Sequence, residues 1–242
     1  NGLKNINKED YDNILIDNSA ILRAKEFRKG NKNSFSLGSN YMIAGKLGTG
    51  KTAAIEYIKE FSSNQKIESF IARMPQSYNL DDMRQNFYTA MLLYIKRWYS
   101  QNNINYPHEG SVAELEFIII LDDMLKHSKG SLDGFFIFIE DLHKQKNQEV
   151  TFEFISTLQT LTESLAEYDI KASIIISGIP EWEKKIINDP TLTSVIPTNN
   201  IIKIKDVTPK IATRAIDKRF EVFKVEKNDY NKFKLAINTV QN

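Results

Sequence analysis

Eight consecutive residues, Gly45-Lys46-Leu47-Gly48-Thr49-Gly50-Lys51-Thr52, follow the order G-x-x-x-x-G-K-[ST]. That order suits gripping a nucleoside triphosphate. Glycines let successive backbone N–H groups curl inward around phosphate oxygens, where a side chain would collide. Lys51 then reaches the β/γ oxygens as a point charge, and the Thr52 hydroxyl can ligate Mg²⁺. Residues 45 to 53, Ala53 included, are therefore the candidate nucleotide-binding set.

Such a loop needs a strand before it and a helix after it. Tyr41-Met42-Ile43-Ala44 is a short apolar run suited to a buried strand. Beyond Thr52, Ala54, Ile58 and Phe61 recur at helical spacing, and a helix N-terminus adds its own attraction for phosphate.

Hydrolysis also needs carboxylates at the end of a neighbouring strand, and two runs compete for that part. One is Phe117-Ile118-Ile119-Ile120-Leu121-Asp122-Asp123, the other Phe135-Phe136-Ile137-Phe138-Ile139-Glu140-Asp141. If both were strands, the link between them would be too short for a parallel crossover. Ser111 can cap a helix whose apolar positions include Leu115, Ile118, Ile119, Met124 and Leu125, closing at Gly130. We therefore read 117–123 as a buried helix face and Glu140/Asp141 as the functional pair. Glu140 would hold Mg²⁺ through water, and Asp141 would orient or deprotonate the attacking water. The usual order is Asp then Glu, so the reversed pair puts the hydrolysis rate in doubt.

Two further residues could take part. Ser177 ends the run Ile174-Ile175-Ile176-Ser177, where a small hydroxyl could bond the γ-phosphate or the attacking water; a turn residue before Gly178 is the alternative. His143 reads as a surface histidine or as a contact to a partner or substrate.

Composition bounds the rest. The chain has 242 residues, 41% hydrophobic and 26% charged, which suits one sizeable α/β domain. It has no Cys, which excludes disulfide frameworks and zinc–thiolate sites. No apolar run is long enough to span a membrane, and a cytoplasmic location with no membrane partner is expected. The chain begins at Asn1 rather than Met, so it reads as a segment of something longer. Net charge is only +1, against a whole-surface polyanion binder. From Ile201 onward ten Lys/Arg face five Asp/Glu, a basic bias that fits nucleic acid, an acidic partner or a solvated helix face.

From Asn40 onward strands and helices alternate, which predicts a mostly parallel sheet with helices on both faces. A helix is expected over Ser19–Arg28 and a strand over Ile67–Arg73. A helix stripe runs through Leu80, Met83, Phe87, Met91, Tyr94 and Trp98, and a further strand spans Ala172–Ile176. Ile201–Ile204 is the last strand, followed by a helix capped by Thr208 and opened by Pro209, with Ala212, Ile216, Phe220 and Phe223 as its stripe.

The phosphate loop, the polar-ended second strand, Phe138-Ile139-Glu140-Asp141-Leu142-His143 and the Ser177-Gly178 strand together resemble the AAA+ ATPases. The closer likeness is to the branch with origin-recognition ATPases, transposition regulators and STAND-type signalling switches. The resemblance covers about residues 36 to 225. It implies a five-stranded parallel sheet with the phosphate-loop strand central, a helical lid after it, and ATP and Mg²⁺ as cofactors. It divides the chain into a polar lead-in (1–36), an ATPase core (37–225) and the start of a lid (226–242). Related oligomeric ATPases carry an arginine shortly before the last strand, but 191–200 contains no Arg or Lys. Arg214 and Arg219 come later.

Two functions therefore stand open: an Mg²⁺-dependent ATPase remodelling DNA or a protein assembly, and a nucleotide switch with little hydrolysis. A small-molecule kinase would need an arginine-bearing lid, and arginines are scarce. No Asn-Lys-x-Asp run follows the loop, which favours ATP over GTP. Further domains, protein partners and a homo-oligomer are the partners such a reading implies.

Overall fold

Apolar runs bounded by glycine, proline and asparagine become the strands of one sheet. In the computed structural model, which describes residues 18–31, 34–107, 113–206, 208, 212–214 and 216–218, the strands are β1 (Tyr41–Ala44), β2 (Ile67–Arg73), β3 (Gly134–Glu140), β4 (Ala172–Gly178) and β5 (Ile201–Lys203). All four strand pairings are parallel, and the order is β2-β3-β4-β1-β5. The phosphate-loop strand is thus interior but not the middle one. β4 holds the middle and separates β1 from β3, so the acid-ended strand is two places from the loop.

Among the described residues, one helix precedes the sheet, α1 (Ser19–Arg28), and six run between its strands: α2 (Lys51–Ser62), α3 (Leu80–Gln101), α4 (Glu114–His127), α5 (Gln148–Glu167), α6 (Pro180–Asn188) and α7 (Pro190–Val195). Alternation along β3 divides the core into two layers. Phe135, Ile137 and Ile139 join the layer packed by α3, α4, α5, α6 and α7. Phe136 and Phe138 join the layer packed by α1 and α2. A strand covered on both faces reads as a continuous apolar run rather than an alternating one. All seven residues of β3 are buried.

Residues 117–123 lie within α4, as the crossover argument requires. The stripe is phased differently from the expectation. Phe117, Ile118, Ile120, Leu121 and Met124 face inward, while Leu115 and Ile119 are 54% and 50% exposed. The two aspartates sit at the margin of that face: Asp123 accepts from the Tyr99 hydroxyl of α3, and Asp122 pairs with Lys126. They serve helix packing and solvation, away from the phosphate loop. The proposed cap Ser111 lies outside the described residues, as do Pro209, Arg219, Phe220, Phe223 and 226–242.

α1 is tied into the core. Asn18 caps it by accepting from the Ile21 N–H, and Ala20, Ile21, Ala24 and Phe27 pack in the layer of α2. The described part of the lead-in thus shares its hydrophobic layer with the phosphate-loop helix. At the other end, the Ala212 N–H donates to the Thr208 carbonyl at 2.9 Å, and residues 212–214 and 216–218 are helical.

Candidate functional site

The loop between β1 and α2 is shaped by its glycines. Gly48 and Gly50 have φ of +79° and +96°, a region that side chains other than glycine's rarely adopt. A Cβ on Gly45 would lie 2.6 Å from the Thr49 Oγ1, so that position admits no side chain without movement. Inside the loop, the Lys51 ammonium donates to the carbonyls of Gly45 at 2.5 Å and Lys46 at 2.8 Å. Lys51 is only 7% exposed, and burial pulls its pKa below the usual lysine value while the Glu140 charge partly restores it. Thr49 braces the turn by donating its hydroxyl to the Lys46 carbonyl at 2.9 Å.

From one side the loop is held by Asn18, whose amide donates to the Thr49 carbonyl at 3.1 Å. On the other, Ile204 follows β5 and packs against Gly45, and Asp206 pairs with the outward-pointing Lys46 at 2.5 Å. Leu47 is exposed, and Ala53 is half-buried in the first turn of α2.

Glu140 closes β3, and its Oε1 accepts from the Thr52 Oγ1 at 2.8 Å. Lys51, Thr52 and Glu140 are therefore brought together, although 88 residues separate the last two. The other carboxylate oxygen accepts from the Arg73 Nε at 3.4 Å, and the same guanidinium reaches Glu56 at 3.2 Å. Arg73 stands opposite Glu140 in the β2–β3 register. Burial works against its charge, but Glu140 and then Glu56 outweigh this and raise the pKa. Sequence reading ended β2 at Arg73 without giving it a role. Pairing across strands depends on register, which no local signal prints.

Asp141 turns the chain with φ of +68° and pairs with Lys144 at 2.9 Å. Aspartate is among the few non-glycine residues that tolerate this region. A short 3₁₀ turn, Leu142–Lys144, follows and carries His143. Ser177 is buried on β4 directly beside Ile43 of β1, one strand from both the loop and Glu140. Gln145, also unassigned from sequence, accepts from the Ser77 N–H at 2.8 Å and donates to the Pro75 carbonyl at 2.6 Å.

Glu140 and Thr52 suit a magnesium ion. Mg²⁺ takes one or two protein oxygens and fills its shell with phosphate and water. Among the described residues no cluster of three or more His, Asp or Glu could hold a metal unaided. A cavity of about 450 Å³ lies elsewhere, lined by Phe27, Phe35, Leu37, Gln65, Asp133 and Lys171 at the opposite edge of the sheet. It shares no residue with the loop.

No protein-family model and no curated protein matches the chain. Solved structures do. The Aeropyrum pernix ORC2 protein in its ADPNP–ADP complexes is similar at TM-score 0.55 and 14% identity, over 89% of this chain and 56% of that one. Its ADP form is similar at 0.55 and 13%, over 84% and 51%. A replication initiator DnaA bound to AMPPCP and single-stranded DNA is similar at 0.50 and 16%, over 98% and 66%. The chain spans about half the length of the ORC2 structures it matches. At these identities the likeness is one of fold. The shared fold is a five-stranded parallel sheet, β2-β3-β4-β1-β5, with helices on both faces and a glycine loop between its first strand and the helix that follows.

Proposed function

We propose that this chain binds ATP with Mg²⁺ at residues 45–53 and hydrolyses it slowly. Its nucleotide state would drive a conformational change in a larger assembly acting on DNA or in defence signalling. The hydrogen bond from Thr52 to Glu140 carries the reading. It joins the residue after the loop lysine to the acid-ended strand, which is where a phosphate-bound cation must be held. Bound there, Mg²⁺ would neutralise charge on the phosphate oxygens. Lys51 would exchange its two backbone carbonyls for the β/γ oxygens, Thr52 and, through water, Glu140 would hold the cation, and Asp141 would orient or deprotonate the attacking water. Ser177, buried between loop and acids, bonds the γ-phosphate or that water.

In this reading the ATPase core spans 37–225 and a lid begins in 226–242. The basic segment after Ile201 is the candidate contact to nucleic acid, a partner also supported by the single-stranded DNA in the DnaA structure. A homo-oligomer would complete sites between subunits. The second reading is a nucleotide switch with negligible hydrolysis. It is favoured by the ion pair that ties Asp141 to Lys144 and by the lack of Arg or Lys in 191–200.

ATP turnover across a wide range of protein concentration, with Asp141→Asn alongside, separates the two. Turnover that rises with concentration and falls at least roughly a hundredfold in Asp141→Asn is expected of the ATPase. Tight nucleotide binding with no turnover at any concentration would leave the switch.

A further inference from the structure

Just beyond the acid pair lies a nitrogen that the assignments above leave unused. His143 sits two residues after Asp141, half-buried, and its Nδ1 is shut away from solvent with no hydrogen-bond partner among the described residues. Buried polar atoms are nearly always satisfied, so an orphan one points to a partner acquired in another state. Its surroundings narrow what that partner is. Burial first, and the Lys51 ammonium second, push the His143 pKa below the usual histidine value, while Asp141 and Glu140 pull the other way. The ring thus lies within the field of the same lysine and carboxylates that define the phosphate site.

A neutral imidazole offers one N–H donor and one bare acceptor. Lys51 already donates to two carbonyls, and the Thr52 hydroxyl to Glu140. A phosphate oxygen would bring both things the buried nitrogen lacks: an acceptor, and negative charge that offsets the push from Lys51.

We propose that His143 reads the terminal phosphate of bound ATP, donating from Nδ1 to a γ-oxygen, so that the site tells a triphosphate from a diphosphate. This rests on the nucleotide-binding reading of residues 45–53. It also gives the signal a route outward. Gln145, two residues on, holds both Pro75 and Ser77, so movement of the 142–145 turn is passed to the loop between β2 and α3.

The test is calorimetric titration of the whole chain with Mg²⁺ and either ADP or a non-hydrolysable ATP analogue. Wild type, His143→Asn, His143→Gln and Lys51→Ala are compared. The asparagine amide nitrogen falls near the place of Nδ1, and that of glutamine near Nε2. His143→Gln is expected to lose the preference for the triphosphate by roughly ten- to a hundredfold, the scale of a hydrogen bond to a charged group. ADP affinity should stay unchanged, which also reports an intact fold, and His143→Asn should keep most of the preference. An unchanged triphosphate-to-diphosphate ratio in His143→Gln overturns the proposal. So does equal loss of both nucleotides, or rescue by glutamine and not asparagine. If wild type and Lys51→Ala alike bind neither nucleotide, the binding reading itself fails and takes this one with it.

Discussion

Both oxygens of the Glu140 carboxylate are engaged, one by the Thr52 hydroxyl and one by the Arg73 guanidinium. Arg73, 61% exposed, is the solvent-facing partner of a carboxylate only 5% exposed, so it offsets part of the burial of that charge. Its effect on a cation is more direct, because it places a positive charge on the oxygen beside the one facing Thr52. Arg73→Ala is therefore expected to tighten Mg²⁺ binding in the nucleotide complex by about two- to fivefold, read from a Mg²⁺ titration of ATP-analogue affinity. Weaker Mg²⁺ binding would instead mean that Arg73 holds Glu140 in place for the metal. The loop residues were legible in the sequence because their chemistry is contiguous: eight neighbours in one pattern. Glu140 was legible through topology. Arg73 was not, because its partner is fixed by strand register, and the burial of the His143 Nδ1 depends on how the chain turns at Asp141.

At the scale of elements, the loop from Met74 to Asn79 is fixed to the turn after β3 by the buried Gln145 amide and by the Met74 N–H donating to the Glu140 carbonyl at 3.1 Å. The loop displays Tyr78, which is 92% exposed, so its order comes from these bonds and not from apolar burial at its tip. Gln145→Leu leaves the Ser77 N–H and the Pro75 carbonyl without that partner. It is expected to cost about 1 kcal/mol in urea unfolding, the net scale of losing part-buried hydrogen bonds. A change below about 0.5 kcal/mol would show that water replaces the amide without loss. Most elements could be read in advance from period and length. The choice between helix and strand at 117–123 turned on crossover length, and α4 is indeed a helix. Its phase escaped because tertiary packing chooses among the apolar residues: Phe117, Ile120 and Leu121 are buried while Leu115 and Ile119 face solvent.

For the molecule as a whole, the order β2-β3-β4-β1-β5 sets the carboxyl ends of β3, β4 and β1 in a row, carrying Glu140, Ser177 and the phosphate loop. Ligands of open parallel sheets bind at that edge, where crossovers from adjacent strands run in opposite directions. Alternation of strands and helices announced both the parallel sheet and its helical cover on both faces. The interior but off-centre place of β1 did not follow, since strand order is a property of crossovers and leaves no mark on composition. The most direct measurement is calorimetric titration with Mg²⁺–ATP of the wild-type chain, Lys51→Ala and Glu140→Gln. The account predicts saturable one-to-one binding by wild type and its loss, by roughly a hundredfold or more, in Lys51→Ala. Glu140→Gln should lose only the Mg²⁺-dependent part. Equal affinity of all three proteins for Mg²⁺–ATP would contradict it.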